Sequence, residues 1–139
     1  MTKIYLASKL HHSDFAMKLV MNNTHDVTWT NRWQWFEGWV SDSKENAVHF
    51  WENDFDDVDA ADAVIVLGMG NDILKGALVE AGYAIGKGKI VACVGDCDSF
   101  STWQFSKRVK MLSDVQAAVD WIKMQVSPEI YPHLEEVQS

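Results

Sequence analysis

The sequence predicts a three-layer α/β sandwich built around a mostly parallel, five-stranded sheet. Segments with strand character alternate along the chain with segments of helical spacing, as in folds with helices packed on a parallel sheet. Several strand segments, such as Ala63–Leu67, are apolar at every position, which is typical of parallel strands buried on both faces. We expect five strands, at residues 3–7, 26–30, 63–67, 89–94 and 109–112.

Helical periodicity fills the intervals between these strands. The spacing predicts helices over residues 14–21, with Ser13 as N-cap, over 44–60 and 76–87, and from a Ser113 cap to about Val126. The alternation favours a flavodoxin-like (Rossmann-type) arrangement, in which ligands bind beyond the carboxyl ends of the strands. Those ends are residues 7–10, 30–35, 67–72 and 95–100.

The length of 139 residues fits one domain, which we place at residues 1–139. No apolar run approaches the length of a membrane span, so we expect no membrane partner. The N-terminus starts directly with a strand pattern and shows no signal peptide, so a cytoplasmic location is expected.

The charge balance argues against polymeric nucleic acid as a partner. Twenty acidic and 12 basic residues give a net charge of −8, and no cluster of Lys and Arg could neutralise a phosphate backbone. A single small nucleotide stays possible, because backbone N–H groups at a helix start can hold one phosphate.

Neither the cysteines nor the acidic residues predict a metal site. Cys93 and Cys97 have no nearby His and fit no zinc pattern, so we interpret both as reduced structural thiols. The carboxylates of the acidic run 54–62 point around a helix instead of converging.

Glu80 is the first candidate for a functional carboxylate. It is the only acid between residues 75 and 87, and no Lys or Arg lies three or four positions away. The helix around it is small or apolar nearly all round, so it should be buried, and a lone buried carboxylate needs donors or a function. Gly76 and Gly82 would let other groups approach closely. The alternative is a Glu on an exposed stripe.

Asp54 is the second candidate, because it interrupts an apolar stripe. At 100° per residue it falls between Phe50 and Val58, whereas Glu52 and Asp56 fall on the polar side. An acid in an apolar stripe is a candidate site residue, although a charge at the edge of the stripe explains it equally well. The apolar stripe itself comprises Val48, Phe50, Trp51, Phe55 and Val58.

The turn after the third strand, Gly68-Met-Gly-Asn-Asp72, is the third candidate region. Asp72 either binds a ligand or forms a turn. The turn does not match a dinucleotide-binding fingerprint, because residue 73 is Ile. The aromatic stretch 29–39 is too apolar for a bare loop, and an interface or the core is the favoured use for most of it.

The chain resembles the nucleoside 2-deoxyribosyltransferase family over about residues 3–94. The most specific match is Gly76-Ala-Leu-Val-Glu-Ala-Gly-Tyr-Ala84, followed by Gly88-Lys-Ile-Val91. Supporting matches are Lys3-Ile-Tyr-Leu-Ala-Ser8, Asn53-Asp-Phe55 and Ala61-Asp-Ala-Val-Ile-Val-Leu67.

The resemblance implies a covalent mechanism at C1′ of a nucleoside. Glu80 stands where the family has its nucleophile, and Tyr5 matches the tyrosine that orients it. Asp54 matches an aspartate that holds the sugar or base, and Asp72 is the best match for the acid that serves the nucleobase. The family chemistry needs no metal or organic cofactor, and the family suggests a homo-oligomer.

The expected activity is transfer of a 2-deoxyribosyl group between nucleobases, with a nucleoside or nucleotide and a free nucleobase as partners. The first alternative is an N-glycosidase acting on nucleoside 5′-monophosphates, in which the turn Gly68–Asn71 with Gly70 and Asn71, or Ser8, or Lys9 would hold the phosphate. Gly76 is expected to let the substrate approach closely. The second is a nucleotide-binding module without turnover.

Overall fold

The computed structural model describes residues 1–8, 18, 25–32, 44–70, 73–96 and 102–127. A five-stranded, all-parallel sheet forms its centre, with the order β2-β1-β3-β4-β5. This is the flavodoxin-like order, so the predicted fold class is confirmed. The strands are β1 (Lys3–Ser8), β2 (Thr28–Trp29), β3 (Ala63–Leu67), β4 (Ile90–Val94) and β5 (Val109–Leu112).

Helices cover both faces of the sheet, which explains the uniformly apolar strands. The described helices are α1 (Lys44–Ala60), α2 (Gly76–Gly86) and α3 (Val115–Val126), with a 3₁₀ turn at Trp103–Phe105. One face of the sheet packs on α1 and α2 in a core that includes Tyr5, Val58 and Ala81. The opposite face packs on α3 in a second core that includes Leu6, Ile65 and Ile122. Alternate residues of β1 therefore point into different layers.

Two element boundaries differ from the sequence-based expectation. The second strand spans only Thr28–Trp29 instead of residues 26–30. Asp26 adopts a left-handed φ of 55° before it, and after it the side chain of Asn31 bonds to the backbone of Leu6. The cap of α3 is Asp114 and not Ser113: the Asp114 carboxylate accepts the Ala117 N–H at 2.8 Å. The predicted helix 14–21 and its Ser13 cap fall largely outside the described residues.

Burial of α2 is one-sided, although we expected it to be buried nearly all round. Ala77, Glu80, Ala81 and Ala84 are buried, whereas Val79 is half exposed. The buried side faces the sheet and α1, and the other side is open to solvent.

The prediction of a buried thiol is confirmed for Cys93, which is fully buried and unpaired in β4. Burial raises the pKa of its thiol to about 12, which makes it unreactive. Cys97 lies outside the described residues. In the described part of the chain, no helix combines the length and apolar character required to cross a membrane.

Candidate active site

Tyr5 extends from β1 into the layer between the sheet and the helices α1 and α2. Its ring is fully buried in that core, and its hydroxyl donates a hydrogen bond to Oε2 of Glu80. A phenol buried in an apolar layer needs a polar partner for its O–H group, and Glu80 is that partner. The position of β1 in the sheet thus fixes the direction from which the Tyr5 hydroxyl approaches the Glu80 carboxylate.

Glu80 lies in the second turn of α2, on the helix face that packs against the sheet. Only 5% of its surface is exposed, so the alternative of an exposed stripe is excluded. The helix packs on β1 and β3 through alanines, and these small side chains leave room for a carboxyl between the layers. Among the hydrogen bonds described for it, none comes from a cation.

Asp54 lies on α1 and meets Glu80 across the interface between the two helices. It is 2% exposed and hydrogen-bonded to the carboxyl of Glu80. The alternative that Asp54 is a charge at the edge of the apolar stripe is therefore wrong, because its side chain is buried. Glu52 and Asp56, on the polar side of α1, are exposed. Its Oδ1 is buried and has no hydrogen-bond partner among the described residues, so this acceptor is available to a ligand.

Burial dominates the electrostatics of this group. It raises the pKa of Asp54 to about 6, and hydrogen bonds from Glu80 and Tyr5 act in the opposite direction. Burial, followed by repulsion from Asp54, raises the pKa of Glu80 well above its ordinary value. Burial and the two carboxylates also raise the pKa of Tyr5, which keeps its hydroxyl protonated and able to donate. Two carboxyls in contact share a proton over a pH range in which isolated acids are ionised.

Sequence reasoning missed three residues beside this group: Asn31, Arg32 and Asp57. The Arg32 Nε donates to Asp57 Oδ1, and the Asn31 side chain is bonded to the backbone of β1 at Leu6. One available signal was that Asp57 precedes the core residue Val58 and follows Asp54 by three positions, which places both acids on one side of α1. The partner of Asp57 lies 25 positions away and had no local signal.

Two further predicted site residues, Ser8 and Gly70, lie at the carboxyl edge of the sheet. The Oγ of Ser8, at the end of β1, is buried without a partner in the described part of the chain. The N–H of Gly70 donates to the carboxylate of Asp96 at 3.0 Å, so the protein's own acid already occupies it. Asn71 and Asp72 lie outside the described residues.

Gly76 opens α2 directly beneath an indole of α1. A Cβ at this position would lie 3.1 Å from Cη2 of Trp51, so the glycine allows close packing between the helices. The structure therefore gives Gly76 a packing role one turn before Glu80, and the same closeness brings α1 and its Asp54 to α2.

Within the described ranges, no group of three or more His, Cys, Asp or Glu side chains is arranged to hold a metal ion. The described site is a buried pair of carboxyl groups, from Glu80 and Asp54, that can share one proton. The hydroxyl of Tyr5 donates a hydrogen bond to this pair. Such a group can attack an electrophilic carbon with one carboxylate and deliver a proton from the other.

The fold and the buried carboxyl pair together define a class: flavodoxin-like α/β proteins with a candidate acid–nucleophile site between β1, α1 and α2. No protein-family model matches the sequence, and no curated protein matches it. Solved structures do match.

Two solved structures resemble this chain in fold. A conserved protein from Enterococcus faecalis V583 has a TM-score of 0.57 at 17% identity, covering 90% of this chain and 99% of that one. The CMP N-glycosidase BcmB from Clostridium botulinum has a TM-score of 0.54 at 13% identity, with the same coverage of both chains. At these identities the likeness concerns the fold.

Proposed function

We propose that this protein is an N-glycosidase that releases the base from nucleoside 5′-monophosphates, with Glu80 as the nucleophile. The observation that carries the proposal is the buried group in which Tyr5 donates to Glu80 and Glu80 bonds to Asp54. The fold it shares with a CMP N-glycosidase supports the choice of substrate class. The sequence resemblance to nucleoside 2-deoxyribosyltransferases supports the same bond and the same nucleophile.

In the first step, the ionised carboxylate of Glu80 attacks C1′ of the sugar while the bond from C1′ to the base nitrogen breaks. The transition state carries positive charge at C1′ and the ring oxygen, and this charge favours an anionic Glu80. The Tyr5 hydroxyl aims the attacking oxygen and stabilises its ionised form. A glycosyl ester of Glu80 is the product on the sugar side.

The departing base needs one proton, and the carboxyl pair holds one. When positive charge develops at C1′, the shared proton moves to Asp54, whose pKa of about 6 suits transfer near neutral pH. Asp54 then protonates the base, directly or through Asp72. The pair thus supplies both the nucleophile and the acid.

In the second step, an acceptor attacks C1′ from the face that the base has left, and Glu80 is released as a carboxylate. The ionised Asp54 takes the proton that the acceptor loses, which restores the protonated carboxyl pair. Water as acceptor gives hydrolysis, and a second nucleobase gives transfer of the sugar. Both routes retain the configuration at C1′, because two displacements occur in succession. Transfer between nucleobases is therefore the second candidate function, and it uses the same residues.

The 5′-phosphate would bind at the carboxyl edge of the sheet. Ser8 Oγ is a buried hydroxyl without a partner there, and the turn 68–70 opens the segment that leads to α2. A hydroxyl and backbone N–H groups near a helix start are suitable ligands for a phosphate. The Gly70 N–H would have to leave Asp96 to take part.

The test is chromatography of the purified protein incubated with ribo- and deoxynucleosides and their 5′-monophosphates, with and without an added free base. Free base from monophosphates alone supports the glycosidase, and a new nucleoside formed only with added base supports the transferase. Glu80→Gln is the control, and it should release no base. Binding of nucleotides without base release, in the wild type as in Glu80→Gln, would instead identify a binding module.

A further inference from the structure

A short segment after β2, residues 30–32, joins β1 to α1 by side-chain bonds. The N–H of Thr30 donates to the Ile4 carbonyl at 2.9 Å, and its Oγ1 donates to the Asp57 carbonyl at 2.7 Å. The Asn31 side chain accepts the Leu6 N–H and donates to the Leu6 carbonyl, both at 2.8 Å. Thr30 thus contacts both elements that carry the candidate site, and Asn31 contacts β1.

Arg32 completes this connection through an ion pair with Asp57. Its backbone N–H donates to Asp57 Oδ2 at 2.8 Å, and its Nε donates to Oδ1. Asp57 is only 3% exposed, whereas the side chain of Arg32 is 54% exposed. A buried carboxylate held by two donors from one residue has little freedom to move.

The elements joined in this way bear the residues of the site. Leu6 directly follows Tyr5 on β1, and Asp57 follows Asp54 on α1 by three residues, which is about one helical turn. A shift of the Arg32–Asp57 pair would therefore move Asp54 relative to Tyr5 and Glu80. Reacting groups displaced by about 1 Å can lose about two orders of magnitude in rate.

We propose that Arg32 and Asp57 are a positioning pair for the candidate site, fixing Asp54 against Tyr5 and Glu80 and balancing the negative charge behind the two carboxyls. The catalytic part of this inference rests on the proposed function. Its electrostatic part concerns the free protein and holds independently of the reaction.

Arg32 and Asp57 carry opposite charges, so they shift the pKa values of neighbouring acids in opposite directions. Among the described residues, the titratable groups that act on Asp54, Glu80 and Asp57 come from four elements: Tyr5 from β1, Arg32 from the segment after β2, Asp54, Asp56 and Asp57 from α1, and Glu80 from α2. Asp57 raises the pKa of Asp54, Glu80 and Tyr5, and Arg32 lowers that of Asp54. The two partners therefore act on Asp54 in opposite directions, and Asp57 has the stronger effect.

The experiment is a pH titration of ¹³C-labelled carboxyl groups by NMR, with Glu80→Gln and Asp54→Asn to assign the signals of the carboxyl pair. We expect Asp57→Asn to shift the apparent pKa values of this pair downward and Arg32→Gln to shift them upward. The double variant should lie between the two. A purely structural role would not produce opposed pKa shifts, because loss of packing does not depend on the sign of the charge that is removed.

The matched control is Asn31→Ala, which removes two bonds from the same segment but no charge. It should leave the titration within about 0.3 pH units of wild type. Arg32→Lys keeps the cation and loses the Nε contact, so it tests the inference even where Arg32→Gln does not fold; it should show no upward shift. Unshifted or same-direction titrations in Asp57→Asn and Arg32→Gln would overturn the proposal, and so would an upward shift in Arg32→Lys.

Activity measurements separate this inference from the proposed function. If the wild type releases base, Asp57→Asn should lower kcat by about 10- to 100-fold with a smaller change in KM, because positioning acts mainly on the transition state. Equal kcat in variant and wild type would contradict the positioning role. If the wild type releases no base, the proposed function fails, and the carboxyl titration still decides the charge balance.

Discussion

Tyr5 and Glu80 lie 75 positions apart in the sequence and share a hydrogen bond inside the protein. The phenol comes from a central strand and the carboxylate from a helix that packs on it, so the contact depends on the complete α/β layer arrangement. Because Tyr5 donates, it stabilises the ionised form of Glu80 in a place where burial favours the neutral form.

Replacing the proposed nucleophile should abolish turnover. We expect Glu80→Gln to lower kcat by at least about a thousandfold, since the attacking oxygen is lost while the volume is kept. The assay is release of base from the preferred substrate of the wild type. Glu52→Gln, at an exposed position of α1, is the matched control and should keep full activity. Near-normal turnover in Glu80→Gln would reject the mechanism.

Removing the hydroxyl of Tyr5 should slow the reaction and leave the fold intact. Tyr5→Phe retains the buried ring, so we expect about 10- to 100-fold lower kcat with only a small loss of thermal stability. The apparent pKa of the carboxyl pair should rise, because Glu80 loses a donor to its ionised form. Tyr83→Phe, which removes a surface bond to Asp59, should change none of these quantities.

The stability of the wild type should depend on the charge of Asp54. Its pKa is raised to about 6 in the folded protein, so the folded state binds protons more tightly than the unfolded state. This contribution is complete below about pH 4 and is lost as the pH rises through 6. Asp54→Asn should therefore be more stable than wild type at pH 8, by about 1–3 kcal/mol, and similar at pH 4.

Urea unfolding at the two pH values measures this difference. Asp56→Asn, at an exposed position on the same helix, should show no such pH-dependent gain. A variant Asp54→Asn that is less stable than wild type at pH 8 would show that the carboxylate is held by stronger donors than those described. We expect its base release to be impaired in either case.

Gly95 should not tolerate a side chain, because the backbone of Gly68 lies very close to it at the carboxyl edge of the sheet. This residue has a φ of 106°, and an added Cβ would lie 1.8 Å from the carbonyl oxygen of Gly68. Gly95→Ala should destabilise the protein by about 3 kcal/mol or more. Gly82→Ala, in open space on α2, should instead stabilise by about 0.5–1 kcal/mol. Thermal unfolding of both variants checks the pair.

Asp96 should weaken the binding of a 5′-phosphate. Its carboxylate accepts the Gly70 N–H, so it both occupies a donor and places a negative charge at the carboxyl edge of the sheet. Asp96→Asn should lower KM for a monophosphate several-fold and leave KM for the matching nucleoside unchanged. Asp62→Asn removes a charge at the opposite edge, where Asp62 accepts the Lys3 N–H, and serves as control. Equal effects on both substrates would place the phosphate elsewhere.

Features with a local pattern could be predicted from the sequence. The apolar runs of β3 and β4 indicate buried parallel strands in a chain that alternates strands with helices, and the same alternation favoured the flavodoxin-like arrangement. Asp54 was a candidate because it breaks the apolar stripe of α1. Glu80 was a candidate because its helix offers no cation to pair with it. Both signals come from spacing along one element.

Contacts between distant segments could not be predicted from local patterns, and the contact of Tyr5 with Glu80 was expected only from the family resemblance. The Arg32–Asp57 pair joins residues 25 positions apart, and nothing local distinguishes Arg32 from a solvated surface cation. The burial of α2 was overestimated because the composition of a helix does not show which side faces a neighbour. Ser113 and Asp114 are both good caps, and the choice between them depends on where the backbone turns into α3.

The shortness of β2 has a practical consequence for engineering this protein. With only two residues in the strand, the amide of Asn31 supplies the two bonds that a further backbone unit would have made to Leu6. The edge of the sheet is thereby completed at this position by a side chain. Any redesign of this edge should therefore retain the amide side chain at residue 31, so that the strand that carries Tyr5 stays anchored.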